Sequence, residues 1–250
     1  MEMFKVAFLN EVEKIYKRKK VIVAIIISLF VIVAGQLMVT MVNMGFGLRA
    51  VSATQFPLLV LSLFSNTILP FFTTLVVIDV FSSEFSHNTM KLSLARPVSR
   101  LKLYAAKACA VAIFILFNLL VVMVLSLLAS IIFNANSFSL GGIWRVVLSY
   151  LVTVLPVMSF ALIIVFMANI FKSGTAVFFI TIILFIAFNG LSVVFPRYSN
   201  LFITSLFGWH SLWNVNTVQV SKIIREFLII SGCGIMSFTA GYYLFVKRDL

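Results

Sequence analysis

Seven carboxylates and two histidines are spread over 250 residues, and any acid–base chemistry would have to come from them. His87 and His210 stand far apart in the chain, and the carboxylates form no cluster that pairs a general acid with a base. Cys109 and Cys233 both sit inside apolar runs with no CxxC spacing, so neither a disulfide framework nor a metal site is expected. No GxxxxGK[ST] loop is present to cradle the phosphates of a nucleotide, and no HExxH, GxSxG or dinucleotide glycine fingerprint occurs. The residues therefore predict neither an enzyme nor a cofactor held by this chain.

A carrier driven by protons or sodium places carboxylates or histidines deep in its helices. Here Asp79 lies near one end of an apolar run, and Arg225 with Glu226 near the end of another. The first, third, fourth and fifth runs carry no charge at all. Anything pumped through such a chain needs an outside energy source. The polar residues that do fall within the runs are Gln36, Ser65, Asn66, Asn118, Asn169 and Asn189. They either hydrogen-bond between helices, at about 0.6 kcal/mol each, or line a translocation path.

The elements that must hold these residues are set by composition. Hydrophobic residues make up 62% of the chain and charged residues 10%, and mean hydropathy is +1.17. A soluble domain carries about a quarter charged residues, and a water-soluble fold could not hide this much apolar surface. Six apolar runs, at about 21–42, 57–81, 108–133, 146–171, 175–195 and 223–246, each reach the ~20 residues that cross a bilayer core, the third helix having an alternative start nearer Leu103. They lack the alternation of barrel strands, so they predict helices. The fold class is an all-α integral membrane protein. Pro70 and Pro156 are expected to kink their helices, and Gly232, Gly234 and Gly241 to allow close packing.

Residues 1–20 precede the first run. Phe4, Phe8, Val12 and Ile15 share one helical face, while Lys5, Asn10, Glu13, Lys14 and Lys17 fall away from it. This predicts an amphipathic interfacial helix rather than a cleaved leader, since no small-residue cleavage site follows. Counting Lys and Arg places fourteen in segments on the N-terminal side of the membrane and five, Arg49, Arg145, Arg197, Lys222 and Arg225, on the other. Both termini, including the tail 247–250, are thus expected in the cytoplasm. The net charge of +12 reads as topology and lipid contact, not nucleic-acid binding. The turn at 172–174 makes a tight hairpin of spans four and five. The outer segment 196–222 is rich in aromatic residues, among them Phe202, Phe207, Trp209 and Trp213, and reads either as a re-entrant region of short helices or as a loop over the helix ends.

Between spans two and three, the loop 82–102 runs Ser83-Glu84-Phe85-Ser86-His87-Asn88-Thr89-Met90-Lys91-Leu92-Ser93-Leu94-Ala95-Arg96-Pro97-Val98-Ser99-Arg100. Apolar Phe85, Met90, Leu92 and Leu94 inside a basic loop predict a short amphipathic helix that stops at Pro97 and suits a groove on another protein. Glu84, Phe85, Thr89, Lys91, Pro97, Val98, Ser99 and Arg100 follow the pattern E-F-x-x-G-T-x-K-x-L-x-x-x-P-V-S-R, with Leu92 one position ahead of the pattern's leucine, and here the chain resembles the membrane subunits of type-2 ABC exporters. Asn88 replaces the glycine, a change compatible with a left-handed backbone, and Ser86 stands where many members have an acid. The order of elements resembles the family along the whole chain.

The resemblance implies a permease subunit in the plasma membrane of a bacterium, paired with a second copy or a similar subunit. Each would bind a cytoplasmic ABC ATPase that holds the ATP and Mg. It further implies that Glu84, Phe85, Thr89, Met90, Lys91, Leu92, Arg96, Pro97 and Arg100 form the contact to that ATPase, Arg96 and Arg100 meeting its carboxylates or lipid phosphates. An amphipathic or hydrophobic cargo, a peptide or antibiotic, is expected. A membrane anchor or sensor that recruits a soluble partner, and a passive channel, stand as the alternatives.

Overall fold

The structure, a computed structural model, describes residues 2–46, 52, 54–82, 99–134, 140–171, 173–214 and 219–247. Among the described residues the secondary structure is helical, without strands. Long apolar segments take this form because each backbone N–H and C=O must find its partner within the segment when water is absent. The helices are α1 (Glu2–Tyr16), α2 (Lys19–Phe46), α3 (Gln55–Asn66), α4 (Ile68–Val77), α5 (Arg100–Asn134), α6 (Leu140–Ile170), α7 (Gly174–Val194) and α8 (Val220–Lys247). A π-helical turn, Ile78–Ser82, continues α4, and two 3-10 helices, Pro196–Leu201 and Ser205–Trp213, join α7 to α8.

Five of these helices are long and apolar enough to cross a membrane, and α3 with α4 and its π turn, bent by 46°, adds a sixth where the pair counts as one broken span. Pro70 explains the bend. It has no N–H for the carbonyl of Asn66, and its ring crowds that carbonyl, so the helix stops at Asn66 and restarts at Ile68. Pro156, by contrast, lies inside an unbroken α6.

The core forms around α6. Val157, Phe160, Ala161, Val165 and Ala168 are buried there, between α4, α5, α8 and the Ser205–Trp213 helix. α8 approaches closely because Gly234 lets Ser159 Oγ donate to the Ile230 carbonyl at 2.9 Å. The periphery is the inverse of a soluble protein. α2 exposes Ile26, Phe30, Met38 and Met41, and α7 exposes Phe179, Ile183 and Ile186, faces that suit lipid or an apolar neighbour.

Three expectations change. The third spanning helix begins at Arg100, ahead of the apolar run at 108, so Lys102 and Lys107 belong to it and that helix is not free of charge. α6 likewise includes Arg145. The buried line of α1 is Ala7, Glu11 and Ile15, with Phe4, Phe8 and Val12 half-buried beside it. That line packs on α5, so a protein surface and not lipid alone receives this face. The turn between α6 and α7 is short, yet α7 is the least buried of the spans. In 196–222, short helices form, and Leu206, Phe207 and Trp209 are buried against the bundle.

Candidate functional site

The stretch 83–98, which carries Glu84, Phe85, Thr89, Met90, Lys91, Leu92, Arg96 and Pro97, lies outside the described residues. Its flanks are described, and they are where the buried charges of the bundle meet. Val80 lies in the last described turn before the stretch, and its carbonyl accepts from a side-chain donor. Lys107 supplies it, with Nζ 2.9 Å from Val80 O. The same ammonium lies 3.4 Å from Glu11 Oε2 on α1 and 5.8 Å from the centre of the Phe81 ring. Lys107 is 1% exposed and Glu11 4%. A buried ammonium is tolerated only when charge and hydrogen bonds replace its water, and Glu11, Val80 and Phe81 are those replacements. Lys14 takes the other oxygen of Glu11 at 2.7 Å.

A second pair lies beside the first. Lys20, at the start of α2, meets Asp79 of the π turn at 2.9 Å. On the other flank, Arg100 Nη1 donates to the Val246 carbonyl at 2.7 Å. Val246 is in the last turn of α8, where orphan carbonyls and the helix dipole both favour a cation.

Tyr104 packs these elements together. It is fully buried, with ring centres of Phe81, Phe238, Tyr242 and Phe245 between 5.0 and 5.7 Å away. A Cβ on Gly241 would strike its hydroxyl and sit 3.5 Å from the backbone of Phe166. At Gly174, a Cβ would fall 2.6 Å from Ile78 Cγ2. The start of α7 therefore touches the π turn through a residue that cannot carry a side chain. The α1 end of the bundle is thus one packed unit that holds both flanks of the 83–98 stretch.

Charge outside the spans follows the same geometry. Lys17, 2.6 Å from Glu13, holds that carboxyl below its ordinary range. Burial raises the Tyr16 phenol, whose ring stands edge-on to Phe117. Burial lowers His210, although its hydrogen-bonding contact with the Phe207 carbonyl at 3.1 Å opposes this. Among the described residues, no group of three or more His, Cys, Asp or Glu is placed to share a metal ion.

A family model described as ABC-2 family transporter protein matches residues 7–189. The chain belongs to the ABC-2 transporter family. Among curated proteins none matches it. It is a multi-pass permease subunit of an ABC transporter, and its family works with an ABC ATPase. The matched stretch takes in Glu11, Lys107 and both flanks of 83–98, while α8 follows it.

The six polar residues expected to bond between helices or line a path are not brought together. Asn66, Asn169 and Asn189 donate to carbonyls one turn back in their own helices, those of Ser62, Val165 and Phe185, at 2.8–2.9 Å. Ser65 does the same toward Ser62 at 3.3 Å. Gln36 and Asn118 are buried in α2 and α5, and among the described residues Gln36 Oε1 and Asn118 Nδ2 have no hydrogen-bond partner. Sequence reasoning singled out Arg100 but passed over Glu11 and Lys107. A signal was present. Lys107 is set among Ala105, Ala106, Ala108 and Ala110, small residues that let another helix close over a charge, and Glu11 falls between Phe8, Val12 and Ile15 on the apolar side of α1.

Proposed function

We propose that the permease exports an amphipathic or hydrophobic cargo, a peptide or antibiotic rather than a small ion, across a bacterial plasma membrane with both termini in the cytoplasm. Two permease subunits, identical or similar, frame the path, and ATP and Mg are held by the ATPase. In this reading 83–98 is the lever that the ATPase grips, with Glu84, Thr89 and Lys91 shaping it and Arg96 and Arg100 meeting the partner or lipid. The observation that carries it is the convergence of bonds between distant parts of the chain on the flanks of that stretch: Val80 to Lys107 and Glu11, Asp79 to Lys20, Arg100 to Val246. A push delivered there reaches α1, α2, α4, α5 and α8 together. It can shift a two-state bundle if the ATPase binds one state better.

The cargo reading rests on the spans. Among the described residues their buried ion pair, Glu11 with Lys107, and the part-buried pair Lys20 with Asp79 sit at the α1 end, and the mid-span polar groups are uncharged amides and hydroxyls. The unpartnered amides of Gln36 and Asn118 offer hydrogen bonds to a peptide-like cargo without demanding a charge.

The test reconstitutes the permease with its ATPase in vesicles. The double substitution Glu84→Ala with Arg100→Ala should leave the amount of membrane-inserted protein unchanged and lower cargo-stimulated ATP hydrolysis. Stimulation equal to the unsubstituted complex would remove 83–100 from the coupling path. A Thr89→Cys probe labelled only from outside intact cells would overturn the orientation.

A further inference from the structure

We propose that the cleft between the starts of α3 and α6, at the end of the bundle away from α1, binds a phosphate-like anionic group through Arg145. The cleft has a volume of about 510 Å³, and Ser52, Thr54, Gln55, Gly141, Arg145 and Asn214 are among the residues that line it. Among the described residues that line it, Arg145 is the only charged one.

The sequence denies this arginine a carboxylate. No Asp or Glu occurs between Glu13 and Asp79, or between Glu84 and Glu226. The segments that reach this end therefore bring Arg49, Arg145, Arg197, Lys222 and Arg225 but no acid other than Glu226, which is buried in α8 with Lys222 and Arg225 as its charged neighbours. Lys14, Lys17, Lys20 and Lys107 each meet a carboxylate of the chain. Among the described residues Arg145 meets none. An exposed guanidinium in a neutral, hydroxyl- and amide-lined cleft draws its counter-charge from outside the protein, and the planar fork of Arg matches two oxygens of a phosphate.

The cleft is also built before any ligand arrives. Tyr150 donates to the Pro57 carbonyl at 3.0 Å and lies 3.1 Å from Ser126 Oγ, which fixes α3 and α5 to α6. Asn214 donates to Ser149 Oγ at 2.9 Å and to the His210 carbonyl at 3.3 Å, which fixes the opposite wall. A Cβ placed on Gly141 would meet nothing within 4 Å, so the floor is open space over bare backbone. A preformed wall lowers the ordering cost of binding.

Trp144, beside Arg145, is 68% exposed. An exposed Trp at the end of a spanning helix marks headgroup depth. The anion therefore comes either from a lipid phosphate of that leaflet or from an acidic group on cargo at the same level. This inference rests on the chain spanning a membrane, not on the direction of transport or the link to an ATPase.

The experiment uses the full chain in nanodiscs. In phosphatidylcholine discs carrying a minor share of phosphatidylglycerol, native mass spectrometry reads the lipid that stays bound. In discs of phosphatidylcholine alone, glycerol phosphate is titrated while tryptophan fluorescence is followed. Retained phosphatidylglycerol identifies lipid as the source; a saturable response to glycerol phosphate identifies a soluble anion; either supports the site. Arg145→Gln should reduce the positive signal about tenfold, the loss expected for one charge-assisted contact. Gly141→Phe should do the same by filling the cleft, and Arg197→Gln, at an exposed cation outside it, should leave the signal intact. The proposal is overturned if neither probe binds, if Arg145→Gln binds as well as the unsubstituted chain, or if Arg197→Gln costs as much as Arg145→Gln.

Discussion

Glu11 and Lys107 are buried against each other at one end of the bundle, whereas Arg145 and Arg197 at the other end lie exposed and, among the described residues, pair with no carboxylate. The contrast follows from where acids occur. Glu11, Glu13 and Asp79 stand in or next to the α1 end, and the long stretches between Glu13 and Asp79 and between Glu84 and Glu226 hold none. At the α1 end, charge joins helices into one body that holds both flanks of 83–98. At the far end, charge is left for lipid, solvent or ligand to neutralise. If the ATPase acts through 83–98 as proposed, rigidity is wanted at the α1 end and adaptable charge at the other.

The largest effect should come from splitting the buried pair. Lys107→Ala leaves Glu11 in an apolar seam with Lys14 as its remaining partner, and removing one member of a buried pair costs about 3–5 kcal/mol. Because Lys14 is half-exposed and still bound to Glu11, the lower part of that range is expected. Glu11→Leu together with Lys107→Met should recover most of the loss, since no charge then remains buried. Thermal denaturation in mild detergent measures both. If the single variant melts with the unsubstituted protein, the pair does not lock the α1 end.

Next in size is a pair of glycines that should respond in opposite ways to the same change. Gly241→Leu drives a side chain into Tyr104 and the Phe166 backbone, and over-packing of this kind costs about 1–3 kcal/mol. Gly141→Leu enters open space and removes a flexible glycine from a helix, so stability should hold or rise slightly. Equal destabilisation of the two variants would mean that the far end is as tightly packed as the α1 end.

The spans were legible because length and apolarity decide them, and the break at Thr67 followed from Pro70. What could not be read was which residue of an amphipathic face turns inward. On α1, apolar spacing pointed to Phe4, Phe8, Val12 and Ile15. The line that packs lies about one position round the helix and centres on a carboxylate. A hydrophobic pattern describes what avoids water, and an acid paired with a distant lysine satisfies that condition without being hydrophobic. Lys107 stands just ahead of the third apolar run for the same reason: positive charge is the usual sign of a span's end, and its contacts with Glu11, 96 residues away, and with Val80 help make it admissible inside a helix. The amides of Asn66, Asn169 and Asn189 show the opposite error. Their polarity suggested partners across the bundle, yet each is satisfied one turn back in its own helix.

A smaller effect tests the far end through pH. Burial holds His210 below its ordinary value of 6.5, and among the described residues no carboxylate forms an ion pair with it. As the medium is acidified through that value, the unfolded chain takes up a proton that the folded chain resists, so stability falls with falling pH. The limit is about 1.4 kcal/mol for each pH unit below 6.5. Melting temperatures between pH 7.5 and 5.5 should decline more for the unsubstituted protein than for His210→Gln. Parallel declines would show that His210 protonates freely where it stands.

The smallest effect belongs to Lys20 and Asp79, and it separates two kinds of pair at the same end. Lys20 is 42% and Asp79 14% exposed at their side chains, against 1% and 5% for Lys107 and Glu11. A partly solvated pair contributes up to about 1 kcal/mol, and ions screen it over a Debye length of about 8 Å at physiological salt. Asp79→Asn should therefore lower the melting temperature slightly in dilute buffer, and the difference should shrink as salt rises. The deficit of Lys107→Ala should be indifferent to salt, because ions do not enter the seam between α1 and α5. Were Asp79→Asn to cost as much as Lys107→Ala at every ionic strength, the two pairs would form one buried lock. Asp79 would then hold α2 to the π turn as firmly as Glu11 holds α1 to α5.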